Sequence, residues 1–202
     1  LLVMGMVGCG GGDEDPVAAL GELGATIYGT EGPEIDLVDL NDTQVTDAGL
    51  VHLRDLPKLR YLDLGGTQIT DAGLVHLKGL TELTNLSLGG TKITGVGLVH
   101  LKGLTNLQML WIEGTQVTDA GLVHLKDMTN LQSLYLRYGA KFSDAGLVHL
   151  KGLTNLKELD LQVTEITGVG LVHLKGLTNL QELNLDRTQI TDAGLVHLKG
   201  LT

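Results

Sequence analysis

At 202 residues the chain has room for one sizeable domain, and its formal net charge of −10 with a pI near 5.0 argues against a nucleic-acid partner, whose phosphates must be met by Lys and Arg. A single cysteine, Cys9, leaves no internal disulfide and no Cys-based zinc site. The apolar run around it falls well short of the roughly 20 residues that a membrane-spanning helix needs.

Residues 1–8, Leu-Leu-Val-Met-Gly-Met-Val-Gly, are apolar and small, and they lead into Cys9, three glycines and the acidic run Asp13-Glu14-Asp15. This resembles the tail of a bacterial lipoprotein signal peptide, in which the cysteine is lipidated and becomes the mature N-terminus. The resemblance implies a lipid anchor on Cys9, a membrane association through that anchor only, and a location at the cell envelope or outside the cell. If residues 1–8 are instead a buried apolar segment carrying a free thiol, the protein is cytoplasmic. The glycines after Cys9 lack the order of a phosphate-binding loop and read as a linker, so 1–12 form the signal and linker.

Residues 13–34 are read as an N-terminal cap. Asp15-Pro16 followed by Val17, Leu20 and Leu23 predicts a capped amphipathic helix with Pro in its first turn, where the missing N–H does no harm. Gly29 to Pro33 predicts a turn into a first strand, Ile35 to Leu40.

From there the chain repeats. Gly-Leu-Val-His-Leu occurs seven times, ending at Leu53, Leu77, Leu101, Leu125, Leu150, Leu174 and Leu198, with every spacing 24 residues except the 25 between Leu125 and Leu150. Between these copies, Leu59 to Ile69 reads L-x-x-L-x-L-x-x-T-x-I, which resembles the leucine-rich repeat with Thr where many repeats carry Asn or Cys. The resemblance covers 35–202, about seven repeats cut short at the C-terminus. It implies an α/β solenoid, a horseshoe with a concave parallel β-sheet and short convex helices. The residues agree with that shape. Leu62 and Leu64 alternate with period two, the mark of a strand with one buried face, and Thr70-Asp71 precedes a short apolar run that predicts one or two helical turns. Strands pack about 4.8 Å apart while helices keep about 8–10 Å, so a stack of such units must bend. Thr46, Thr70, Thr94, Thr118, Ser143, Thr167 and Thr191 are expected to cap those turns, and Gly95 and Gly168, which replace the following Asp, to weaken two of them.

The convex segments hardly vary; the outward strand positions do. These form three columns across the repeats, of which the central one reads Asp39, Asp63, Ser87, Trp111, Tyr135, Asp160, Asn184. Trp111 and Tyr135 are expected side by side, flanked by Met109 and Arg137, the composition of a binding hot spot, with Tyr61 on the same face. The 25-residue spacing places an extra residue within Arg137 to Lys141, predicted to re-aim Tyr138. These six residues are the candidate ligand-binding set. The competing reading is drift at solvent-facing positions, since single exposed aromatics are common.

The histidines all occupy one repeat position, so none is singled out as a catalytic base, and their spacing does not let them converge on one metal ion. Acidification is expected to charge them beside the neighbouring lysines and loosen the array. No serine is expected beside a histidine, and neither cofactor nor catalysis is indicated. The expected function is therefore non-enzymatic recognition of a protein ligand, or of a glycan. The Ile69 to Leu74 phrase also resembles the cysteine-containing repeats of F-box substrate receptors, which would make the chain part of a ubiquitin-ligase-like adaptor; a third reading is the repeat segment of a larger enzyme.

Overall fold

The structure, a computed structural model, describes residues 15–29, 34–138 and 141–201. Eight strands form one sheet in chain order: β1 (Thr26–Gly29), β2 (Ile35–Asp39), β3 (Tyr61–Asp63), β4 (Asn85–Ser87), β5 (Met109–Trp111), β6 (Ser133–Tyr135), β7 (Glu158–Asp160) and β8 (Glu182–Asn184). β1 is antiparallel to β2, and every later pairing is parallel. The strand β1 is not legible in the repeat pattern, because it lies before the first repeat and pairs backward with it. Its predecessor α1 (Pro16–Glu22) is capped by Asp15, whose side chain accepts from the Val17 N–H, and it buries Ala19 and Leu20.

One strand face is leucine throughout. Leu62, Leu86, Leu110 and Leu134 stand in register at the middle of their strands, each fully buried, and Leu64, Leu88, Ile112 and Leu136 follow two residues later in a second buried column. A leucine here packs mainly against its counterparts one repeat away, which makes the core a row of ladders rather than a centre. On the convex side, 3-10 segments predominate (Asp47–Asp55, Gly73–Leu77, Val96–Gly103, Gly170–Leu174), and single α-turns α2 (Asp119–Leu122), α3 (Asp144–Leu147) and α4 (Asp192–Leu195) each run into another 3-10 turn. The 3-10 form rises about 2.0 Å per residue against 1.5 Å, so it crosses the back of a short repeat with fewer residues.

The capping expectation needs correction. Only Thr70, Ser143 and Thr167 accept from a backbone N–H within their own turn; Thr46, Thr118 and Thr191 make no such bond. The following Asp opens an α-turn at Asp119, Asp144 and Asp192 and a 3-10 segment at Asp47, while 3-10 segments follow Gly95 and Gly168. It also acts between repeats. Asp47 accepts from the N–H and hydroxyl of Thr70, Asp71 from those of Thr94, Asp119 from those of Ser143, and Asp144 from those of Thr167. Where Gly95 and Gly168 stand, the carboxylate is gone and backbone meets backbone: a Cβ built on Gly121 falls 2.8 Å from Gly95 Cα.

Two further ladders close the edges of the sheet. The motif threonines Thr67, Thr91, Thr115 and Thr164 donate to carbonyls three residues back, at 2.6 Å each, and are buried. At the opposite edge Asn106, Asn130, Asn155 and Asn179 each donate across to a threonine carbonyl of the preceding repeat.

Candidate concave recognition face

The strand register sets the outward columns. Leu37, Tyr61, Asn85, Met109, Ser133, Glu158 and Glu182 pair in sequence along one, and Asp39, Asp63, Ser87, Trp111, Tyr135, Asp160 and Asn184 along the next. In the second column Asp39, Asp63, Asp160 and Asn184 each turn a side-chain oxygen onto the N–H two residues ahead, at 2.8–3.0 Å. This Asx turn steers the chain out of the strand. Trp111 and Tyr135 occupy the same positions and forgo it. They stack instead, with ring centroids 5.5 Å apart and planes within 2° of parallel, both half-buried.

A polar frame holds the pair. The Tyr135 hydroxyl donates to Glu158 Oε2 at 2.5 Å. Burial first, and then this hydrogen bond to a carboxylate, push the Tyr135 phenol up to about 12. Arg137, two residues beyond Tyr135, lies between Glu113 Oε1 at 3.9 Å and Asp160 Oδ2 at 3.6 Å, with its guanidinium 5.4 Å from the centre of the Tyr138 ring. Among the described residues Glu113 Oε2 has no hydrogen-bond partner, and burial raises its carboxyl above the usual range, against the lowering pull of its own backbone hydrogen bond and of Arg137. The acids Glu113, Glu158 and Asp160 were not among the sequence-derived candidates. The signal that could have found them is the register itself, which sets the acids of β7 one strand from Tyr135 and Arg137.

Of the candidates, Trp111, Tyr135, Arg137 and Tyr138 come together. Met109 joins them at the edge, its Sδ accepting from Asn85 Nδ2 at 3.0 Å. Tyr61 stands apart on β3, two strands from Trp111, its hydroxyl 3.5 Å from Asp63. Burial, then Asp63 and Asp39, raise its pKa. Tyr138 is not re-aimed out of register: its N–H reaches Gln162 O as the Gly114 N–H reaches Arg137 O. Its left-handed backbone, φ 58°, is that of Gly66, Gly90 and Gly114 in earlier repeats. The extra residue therefore falls between Tyr138 and Lys141, on Gly139 and Ala140, outside the described residues, as is Cys9.

All seven histidines are half-buried on the convex side. Among the described residues no three His, Cys, Asp or Glu side chains are placed to share a metal ion, and no helix is long and apolar enough to cross a membrane. Two shallow concavities lie elsewhere: one of about 280 Å³ beneath α1, and one of about 490 Å³ along the asparagine ladder, whose carboxamides already donate to backbone carbonyls.

The chain belongs to the leucine-rich-repeat family: the family model described as "Leucine rich repeat" matches residues 57–117 and 129–190. Among solved structures it is similar to an internalin C2 from Listeria monocytogenes, with 32% identity and a TM-score of 0.68 over 83% of this chain and 69% of that one. An internalin (inlF) from the same organism shares the fold at 24% identity and a TM-score of 0.60, over 82% of this chain and 51% of that one. Compared with curated proteins, the chain has no match.

Proposed function

We propose that this chain is a non-enzymatic recognition module that holds a protein ligand on its concave sheet, around Tyr61, Met109, Trp111, Tyr135, Arg137 and Tyr138, and that a lipid on Cys9 tethers it to the cell envelope. The observation that carries the reading is the Trp111–Tyr135 stack, two large rings held half-exposed in a fixed orientation. Rings immobilised before binding lose little entropy when a partner covers them, and such residues dominate interface energies. Solvent-facing drift explains this less well, because both aromatics stand where four other repeats keep an Asx turn. Chemistry in the segment finds no support. Ser87 and Ser133 lie on the strands while the histidines lie behind them, so among the described residues neither serine has a histidine beside it.

Calorimetry against an identified protein partner tests the face. Trp111→Ala is expected to weaken binding by about 2 kcal/mol, roughly thirtyfold, with the far-UV circular dichroism unchanged, while Val172→Ala on the convex side has no effect. Unchanged affinity in Trp111→Ala rejects the site. For the tether, a bacterial host fed a clickable fatty acid should label the chain preceded by its own signal, and Cys9→Ser should abolish the label.

A further inference from the structure

The face around Trp111 is uneven in a way that specifies what it takes. Tyr135 covers one side of the indole. The neighbour on the other side is Ser87, and beyond it Asp63, both in register with Trp111. A serine is too short to cover an indole, so the second ring face looks across β4 towards Asp63. The strands bearing Trp111 and Asp63 are two spacings apart, about 10 Å, and the floor between them stays low because Gly89 follows Ser87. The carboxyl of Glu113 leans over that floor, since a Cβ built on Gly89 would lie 3.1 Å from Glu113 Cδ.

The charge of this slot is one-sided. With the third outward column, which runs Asn41, Gly65, Gly89, Glu113, Arg137, Gln162, Asp186, the face carries Asp39, Asp63, Glu113, Glu158, Asp160, Glu182 and Asp186 against the single cation Arg137. That guanidinium is already divided between Glu113 and Asp160, and it leaves the buried Glu113 Oε2 without a partner among the described residues. An open aromatic face flanked by under-neutralised carboxylates is the environment in which a desolvated cation gains most, from the ring quadrupole and from the acids together. Arginine fits best, because its flat guanidinium stacks on an indole while its edge donors reach carboxylates.

We propose that the protein ligand inserts an arginine side chain into the slot over β4, stacked on the free face of Trp111 and paired with Asp63 and Glu113. The inference rests on the concave face being the recognition surface, and it names the chemistry that face selects.

Trp111 is the only tryptophan, so its emission reports on the slot directly. The whole chain is titrated with a tetra-arginine peptide and with its tetra-citrulline counterpart, which keeps the shape and removes the charge. The arginine peptide is expected to change Trp111 emission saturably, with at least tenfold tighter binding than citrulline. The double variant Asp63→Asn/Glu113→Gln should lose about tenfold, while Asp192→Asn, on α4, stays within twofold. Equal binding of the two peptides, an unaffected double variant, or an equal loss in Asp192→Asn each overturns the slot. The two readings fail separately. A protein partner whose affinity ignores Trp111→Ala removes the recognition face, whereas one that needs Trp111 and is unmoved by Asp63→Asn/Glu113→Gln leaves the face and removes the cation.

Discussion

Replacing Asp71 with alanine tests whether the repeats are fastened to one another by carboxylates as well as by leucines. Asp71 Oδ1 accepts from Thr94 N at 3.1 Å and Gly97 N at 3.0 Å, and its Oδ2 accepts from the Thr94 hydroxyl at 2.5 Å. Hydrogen bonds to a charged group are worth about 1.5–3 kcal/mol each. All three here are partly buried, share one acceptor group and admit some replacement by water, so the expected loss is about 2–4 kcal/mol rather than the sum. Close packing limits that replacement, since a Cβ built on Gly97 would lie 2.7 Å from Asp71 Cα. The control is Asp192→Ala, whose carboxylate holds no hydrogen bond among the described residues and is exposed, and which should cost no more than about 0.5 kcal/mol. Urea unfolding at pH 7 compares the two. Amide hydrogen exchange adds the location, because a solenoid transmits a lesion mainly to its neighbours and the loss of protection should centre on the repeats that Asp71 joins. Equal costs for Asp71→Ala and Asp192→Ala would show that the carboxylate ladder contributes nothing beyond helix-terminus electrostatics.

Gly121→Ala should destabilise by about 1–3 kcal/mol, because its methyl must enter the space of the Gly95 backbone, whereas Gly79→Ala, with nothing within 4 Å, should be neutral or slightly stabilising in the same urea assay. Val163 is a β-branched residue at φ 57°, and Val163→Gly should raise stability by about 1 kcal/mol once glycine's greater unfolded-state entropy is deducted from the relief of strain. Glu113 has its pKa raised, so its contribution to stability is greatest below its ordinary value near 4.5 and is lost as pH climbs through the folded value; Glu113→Gln should therefore raise the melting temperature at pH 7, with the gain shrinking towards pH 4. His76 runs the other way: burial and then Arg54 lower its pKa, so its contribution is present above 6.5 and is lost as pH falls below, and the drop in melting temperature from pH 7.5 to 5.5 should be smaller in His76→Gln.

What repeats is legible, and what joins the repeats is much less so. The leucine columns, the strand register and the convex turns follow from periodicity because each is dictated by residues within one repeat and copied 24 residues later. The outward neighbours of Trp111 follow for the same reason, since counting strands places Tyr135 beside it. The Asp47–Thr70 bond belongs to neither repeat alone: Thr70 and Asp71 taken in isolation look like a cap and its dipole partner, which finds the Thr70 cap and misses the carboxylate bonds that run from one repeat to the next. Tyr138 fails for a related reason: its left-handed backbone is announced by the glycines at 66, 90 and 114, not by its own identity. Specificity has the same origin. Trp111 is conspicuous by composition, yet the proposed slot is made by the serine and glycine beside it and the carboxylates beyond, residues unremarkable in sequence that come together only when β3, β4 and β5 are laid side by side. Grafting large side chains at Ser87 and Gly89 should therefore abolish ligand binding with Trp111 untouched, and retention of affinity would mean the ligand approaches the stack from the Arg137 side.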